Sequence, residues 1–343
     1  MNQEEAKKFS LVDAAAFNNT SLVSPLRYPG GKRRLLPYIA RVIEALPNRP
    51  SILIEPFAGG AAVSIGLLEH GHIPRIALAD ADPLVAAFWQ TVFDPQNAAK
   101  LAERVLEAEV TVEQWLRLRE WSPTDRVDQA FKCLFLNRTS FSGILHPGSG
   151  PIGGYEQSGS YKIDVRFPRE RLARRVFELS KLSDKVAYVR CQDFTATLRN
   201  PLDGTGLKQL GRAFWYLDPP FWNKADKLYT CHFRDEDHQL LAREVKALRG
   251  SWVVSYDNHP EVIALYADAD HVDHVCLRYT ARSRSKSDKA REALFSNTNA
   301  LRGIEGKSFA VFESKVSSEH VSVEKGSRAR MVSALVSRLA QAR

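Results

Sequence analysis

Long apolar runs are missing from this chain of 343 residues. None approaches the roughly 20 residues that a helix needs to cross a bilayer, so no membrane is expected as a partner. The opening residues, Met1-Asn2-Gln3-Glu4-Glu5, lack the basic segment and apolar stretch of a secretory signal, and a cytoplasmic location is expected. Cysteine is scarce. Cys133, Cys191, Cys231 and Cys276 stand far apart and form no CxxC pair, which argues for reduced thiols and against a disulfide framework. His271 and His274 have neither an HExxH neighbour nor a cysteine partner, so no metal site is expected. Also missing is a GxGxxG turn, which weighs against a dinucleotide held by its pyrophosphate. Charge is not balanced: 48 Lys and Arg against 40 Asp and Glu leave a net charge of +8 and favour a polyanionic partner. With 44% apolar residues the chain has material for a core and is not disordered as a whole.

What is present reads first as alternating strands and helices. A loop over 25–31 precedes an amphipathic helix over 32–46. A buried strand at 51–54 ends in Glu55-Pro56, turns at Ala58-Gly59-Gly60 and continues as a helix over 61–69. A second strand, 73–79, closes on Asp80-Ala81-Asp82-Pro83 ahead of a helix over 84–93. This order begins a doubly wound α/β sheet. Residues 94–135 read as helical throughout. The segment 137–168 is glycine- and proline-rich loop or hairpin, and 169–183 is a basic helix. Strands are expected at 186–189, 213–217 and 251–255, with a helix over 235–248. Two hairpin arms, 275–279 and 293–295, flank a basic stretch. The expected division is an arm (1–23), a catalytic domain (24–99 and 184–298), an inserted recognition module (100–183) and a basic extension (299–343).

The chemistry concentrates at strand ends, where open α/β sheets place their ligands. Tyr216-Leu217-Asp218-Pro219-Pro220-Phe221 puts a carboxylate, two prolines and an aromatic ring directly after an apolar strand. Neither proline can donate to a ladder, so they end the strand in a stiff loop. A rigid carboxylate and carbonyl beside an aromatic plate suit the amino group of a flat heterocycle. Gly59 and Gly60 let a ligand approach the backbone ahead of a helix N-terminus, although a bare strand-to-helix turn would use the same residues. Asp82, before Pro83, is suited to capping the next helix, which leaves Asp80 for ribose hydroxyls. Asp193 ends another strand and fits either an adenine amino group or a turn cap.

Several segments then resemble, in order, the Dam-like DNA adenine-N6 methyltransferases. Arg27-Tyr28-Pro29-Gly30-Gly31-Lys32 is similar to the family's Lys-Trp-Ala-Gly-Gly-Lys signature, and Glu55-Pro56-Phe57-Ala58-Gly59-Gly60 to its cofactor loop. Ala79-Asp80-Ala81-Asp82 matches the acidic turn. Leu136-Asn137-Arg138 with Phe141 and Gly143 matches the Leu-Asn-Arg element, and Asp218-Pro219-Pro220-Phe221 the catalytic Asp-Pro-Pro-Tyr. Glu292-Ala293-Leu294-Phe295-Ser296-Asn297 resembles the late Glu-Leu-Leu-Ile-x-Asn strand. Tyr28 stands for a tryptophan, Ala61 for a frequent glycine and Phe221 for the usual tyrosine.

The resemblance implies a Rossmann-like methyltransferase sheet with an inserted helical and hairpin recognition module. It implies S-adenosylmethionine as cofactor, held by Tyr28, Lys32, Glu55, Phe57, Gly59, Gly60, Asp80, Asp193 and Asp218. Asp218, Pro219, Pro220 and Phe221 would act on adenine N6 of a base flipped from double-stranded DNA. DNA contacts are expected from Arg27, Asn137, Arg138, Lys162, Arg166, Arg284 and Lys286. Partner subunits of a restriction or defence system, and a place near the nucleoid, go with this reading. The same fold could serve RNA adenine or cytosine N4, or persist in a non-catalytic DNA-binding subunit.

Overall fold

The structure, a computed structural model, describes residues 24–27, 31–202, 211–222, 233–277 and 290–298. All belong to one unit, Met1–Lys307; a second unit, Ser308–Arg343, lies outside the described residues, as do the expected arm and the extension 299–343.

Lys32–Leu35 winds one turn of 3-10 helix and passes into α1 (Leu36–Ala45), so the helix expected over 32–46 has a tighter first turn. Leu36, Ile39, Ala40 and Ile43 recur every three or four residues and are buried as one stripe. Strand β1 (Ile52–Glu55) leads to α2 (Ala62–Glu69), and β2 (Ile76–Asp80) to α3 (Pro83–Val92). The helical stretch expected over 94–135 is three helices: α4 (Pro95–Glu107), α5 (Val112–Glu120) and α6 (Arg126–Thr139). The breaks fall where Asp94, Thr111 and Asp125 fold their side chains onto the next backbone N–H groups, each cap contributing about 1 kcal/mol. Beyond the glycine-rich segment come α7 (Arg169–Ser180), β3 (Val186–Cys191) and α8 (Phe194–Arg199). Then follow β4 (Ala213–Leu217), α9 (Asp235–Lys246), β5 (Ser251–Asp257), α10 (Pro260–Leu265), β6 (His271–Leu277) and β7 (Ala290–Ser296).

The strands form one seven-stranded sheet in the order β3-β2-β1-β4-β5-β7-β6. The pairs from β3 to β5 are parallel, while β7 lies antiparallel to both β5 and β6. The expected hairpin is therefore present, with its second arm slotted against β5. The order of winding reverses between the parallel strands β1 and β4, which makes their carboxyl ends the switch point of the sheet.

Alternation along the strands sorts the core into two layers. Leu53, Phe214 and Tyr216 pack on one face with α1–α7; Ile52, Ile54, Trp215 and Leu217 pack on the other with α8–α10. The segment 100–183 is thus continuous with the first layer. Leu101, Val105, Phe135, Leu172 and Val176 share their cluster with Val63, Phe88 and the sheet. No helix among the described residues is long and apolar enough to cross a membrane.

Candidate active site

Three strand ends meet at the switch point: Glu55 of β1, Asp80 of β2 and Asp218 just beyond β4. The turn after β1 is pinned from two sides. Gly59, with φ of 42°, donates its N–H to Asp80 Oδ2 at 2.7 Å, and its carbonyl accepts from Trp89 Nε1 at 2.8 Å. Asp80 Oδ1 accepts from the N–H of Asp82 at 2.9 Å. Asp82 in turn caps α3, accepting from Leu84 N at 2.9 Å, as expected of it. Burial outweighs the two backbone hydrogen bonds and pushes Asp80 up to about 7. Glu55 is buried, accepts from the Ser64 hydroxyl and is raised well above the usual carboxylate range by desolvation. Ala61 takes the left-handed conformation with φ of 45°, which is where glycine would sit without strain.

The Asp218 elbow is fixed by groups far apart in sequence. Lys32 Nζ lies 2.9 Å from Asp218 Oδ1, and Ser255 Oγ donates to the same oxygen at 3.0 Å. The Tyr216 hydroxyl lies 3.1 Å from Ser255 Oγ and supports it. Oδ2 has no hydrogen bond from any described residue, and the side chain keeps 25% of its surface exposed. Lys32 also reaches Glu292 Oε2 on β7 at 3.3 Å and stands 5.2 Å from the centre of the Phe221 ring. One residue on, Trp222 N donates to Asp257 Oδ1 at 3.0 Å, and its ring lies against the His238 and His259 imidazoles at 4.6 and 5.5 Å.

A cavity of about 280 Å³ opens between these elements. Lys32, Glu55, Phe57, Gly59, Gly60, Asp80, Asp193 and Asp218, all expected at a cofactor site, line it together. Pro220 lines it as well, whereas Pro219 and Phe221 are not among the lining residues. Tyr28, Arg284 and Lys286 lie outside the described residues. Asp193 caps α8 through Oδ1, which takes Ala196 N at 2.9 Å, and it also lines the cavity. The sequence reading missed Phe194 and Phe233; Phe194 stacks on Phe57 at a centroid distance of 5.8 Å, Phe233 meets Phe57 edge-on at 5.7 Å, and the two lie 5.1 Å apart. An aromatic after a strand-end aspartate was a signal for Phe194; nothing local marks Phe233. Among the described lining residues six are acidic (Glu55, Asp80, Asp82, Asp193, Asp218 and Asp237) against one cation, Lys32.

The expected DNA-contacting residues divide. Asn137 and Arg138 do not face outward. Asn137 is 0% exposed, takes the Arg27 N–H on Oδ1 at 2.6 Å and donates to the carbonyls of Arg27 at 2.7 Å and Gly143 at 2.9 Å. Arg138 is buried and donates to the carbonyls of Pro25 and Ser24. These side chains are occupied in clamping the loop 24–27, because buried backbone groups require partners. Burial and the charges of Arg27, Arg171 and Arg166 push Arg138 down to about 9, which marks a crowd of like charges. Arg166 and Lys162 are exposed. Between α6 and α7 the structure also exposes Phe141 (64%), Tyr155 and Tyr161.

The family model of the D12 class N6 adenine-specific DNA methyltransferases matches residues 28–283. The type II methyltransferase M.CviBI of Paramecium bursaria Chlorella virus NC1A is 23% identical over 264 residues, 73% of this chain and 88% of its own. The DNA adenine methylase of Haemophilus influenzae is 24% identical over 197 residues, 53% of this chain and 66% of its own. Among solved structures, the rRNA methyltransferase aviRa from Streptomyces viridochromogenes aligns over 80% of this chain and 88% of its own, at 15% identity and a TM-score of 0.39.

Proposed function

This chain belongs to the D12 class N6 adenine-specific DNA methyltransferases, and from that membership we propose how its residues carry out the transfer to adenine N6. S-adenosylmethionine supplies a methyl group on a sulfonium, which the N6 lone pair takes while the C–S electron pair stays on sulfur. The cavity suits such a cationic cofactor: even with Glu55 kept protonated by burial, its other acids outnumber the one lysine and would repel a phosphate-bearing one. Asp80 has spent two of its four lone-pair sites on Gly59 and Asp82, and the remainder serve ribose hydroxyls. Asp193 Oδ2 is left for the adenine amino group of the cofactor, with Phe57, Phe194 and Phe233 as the apolar wall.

For the target base, Asp218 Oδ2 accepts one N6 hydrogen and the Pro219 carbonyl the other. Both draw the nitrogen out of conjugation and aim its lone pair. Lys32 and Ser255 hold Oδ1, so the carboxylate does not rotate as charge develops; this is preorganisation, with no covalent enzyme intermediate. Asp218 then takes the proton that N6 must lose. The base leaves a double-stranded helix first, and the Phe221 face offsets part of an unstacking cost of a few kcal/mol, by order of magnitude. Arg27, Arg166 and Lys162 are proposed as phosphate contacts, and the exposed rings of Phe141, Tyr155 and Tyr161 as surfaces that meet bases. A cytoplasmic, nucleoid-associated role beside partner subunits of a restriction or defence system goes with the type II relative.

The observation that carries the mechanism is a fixed Asp218 with one oxygen unpartnered, in the same cavity as Asp80 and the Gly59 turn. Asp218→Ala should lower transfer by about a thousandfold or more, with DNA affinity kept, as measured by mass spectrometry of nucleosides from treated DNA. Undiminished N6-methyladenine, or N4-methylcytosine as the product, would refute it.

A further inference from the structure

Lys32 serves two carboxylates. Asp218 Oδ1 lies 2.9 Å from its Nζ and Glu292 Oε2 lies 3.3 Å from it. A structural ion pair needs only one of them, and Asp218 is already held by Ser255. Glu292 is 1% exposed on a strand whose next residues, Ala293, Leu294 and Phe295, are buried and apolar. An apolar side chain would suit that position better, because a buried carboxylate carries a large desolvation penalty that a shared ammonium only partly offsets. Burial pushes Glu292 up to about 7, with Lys32 opposing and Asp218 and Asp257 adding to the rise. Costly buried charges of this kind concentrate at functional sites.

The transfer gives the placement a use. The target nitrogen starts neutral and turns cationic as the N–C bond forms, until it loses a proton to Asp218. Asp218 and Lys32 alone would be electrically neutral toward that nitrogen. With Glu292 ionised, the row of three carries one net negative charge, fixed before the reaction begins and facing no solvent reorganisation. We propose that Glu292 is a positioning residue for methyl transfer: through Lys32 it holds Asp218 in place and supplies the net negative charge that the forming N6 cation meets. This rests on the mechanism proposed above.

The test compares the full chain with Glu292→Gln, which keeps shape and removes charge, and with Glu292→Asp, which keeps charge and shortens reach. At pH 8, single-turnover methylation of adenine-containing duplex DNA should slow roughly 10- to 100-fold in E292Q, with DNA affinity near the unmodified value and with E292D faster than E292Q. Calorimetry adds a readout independent of turnover. The preference for sinefungin, which carries an amine in place of the sulfonium, over neutral S-adenosylhomocysteine should fall about fivefold in E292Q, as a lost charge at this range implies. An E292Q rate close to the unmodified rate overturns the proposal. So does E292D slower than E292Q, or equal weakening of both ligands, which would mark a structural role. An unmodified chain that methylates no adenine overturns the mechanism beneath it instead.

Discussion

Asp80 carries two duties in one carboxylate, and its ionisation sets how the site responds to pH. Its ordinary value near 4 is raised to about 7, chiefly by desolvation. A carboxyl raised in the folded state favours the protonated form, so its contribution to stability declines as pH climbs from about 4 through 7. A bound cation reverses the preference. Affinity for S-adenosylmethionine should therefore rise between pH 6 and 8, by about tenfold for one carboxyl titrating near 7, with proton release on binding. Neutral S-adenosylhomocysteine should respond less. Calorimetry in two buffers of different ionisation enthalpy checks both, and a pH-independent sulfonium affinity would contradict the assignment. At this scale Asp80, Asp82, Asp218 and the Gly59 turn were legible, because each ends an apolar run and so must lie at a strand edge. The partners of Lys32 were not. Asp218 and Glu292 meet that lysine, and Ser255 meets Asp218, only once β4, β5 and β7 lie side by side.

At the scale of elements, the carboxyl end of α6 does something its sequence did not announce. Asn137 and Arg138 read as DNA contacts in an Asn-Arg pair next to a glycine-rich loop; folded, they face inward and clamp the loop 24–27. Gly143 belongs to the same device. It has φ of 78°, and a Cβ there would overlap the Arg27 carbonyl oxygen. Asn137→Ala would leave the N–H and carbonyl of Arg27 and the carbonyl of Gly143 without this partner. The expected loss is about 2–4 kcal/mol in urea unfolding, since each orphaned buried group costs roughly 1–3 kcal/mol and water recovers some. Gly143→Ala should also destabilise, and should weaken DNA binding more than cofactor binding. A stability unchanged by both substitutions would remove the clamp. The breaks at Asp94, Thr111 and Asp125 were missed in reading 94–135 as helical throughout, although each cap acts on neighbours only two or three residues away. The clamp was not readable, because its partners are 110 residues apart.

For the whole molecule, charge is segregated: an acid-lined cavity within a basic chain, with Arg27, Arg138, Arg166 and Arg171 crowded on one side. DNA affinity should accordingly fall with salt, by roughly a hundredfold between 50 and 200 mM if about four phosphates are neutralised. Arg166→Ala should reduce the logarithmic slope by about 1; fluorescence anisotropy at several salt concentrations measures it, and a flat response would remove phosphate from the interface. The layers show where sequence and tertiary structure divide the work. Strand and helix identity, the parallel α/β order and the acidic strand ends were set locally, by apolar periodicity, proline's missing donor and side-chain caps, all of which act within a few residues. The sequence suggested an inserted module over 100–183; its helices pack on one another and on α3, and their apolar stripes share one continuous core with the sheet. Which carboxylates share Lys32, which arginines turn inward, and that three phenylalanines from distant segments wall one cavity were decided only by the fold, since Coulomb attraction and burial depend on distance in space and not along the chain.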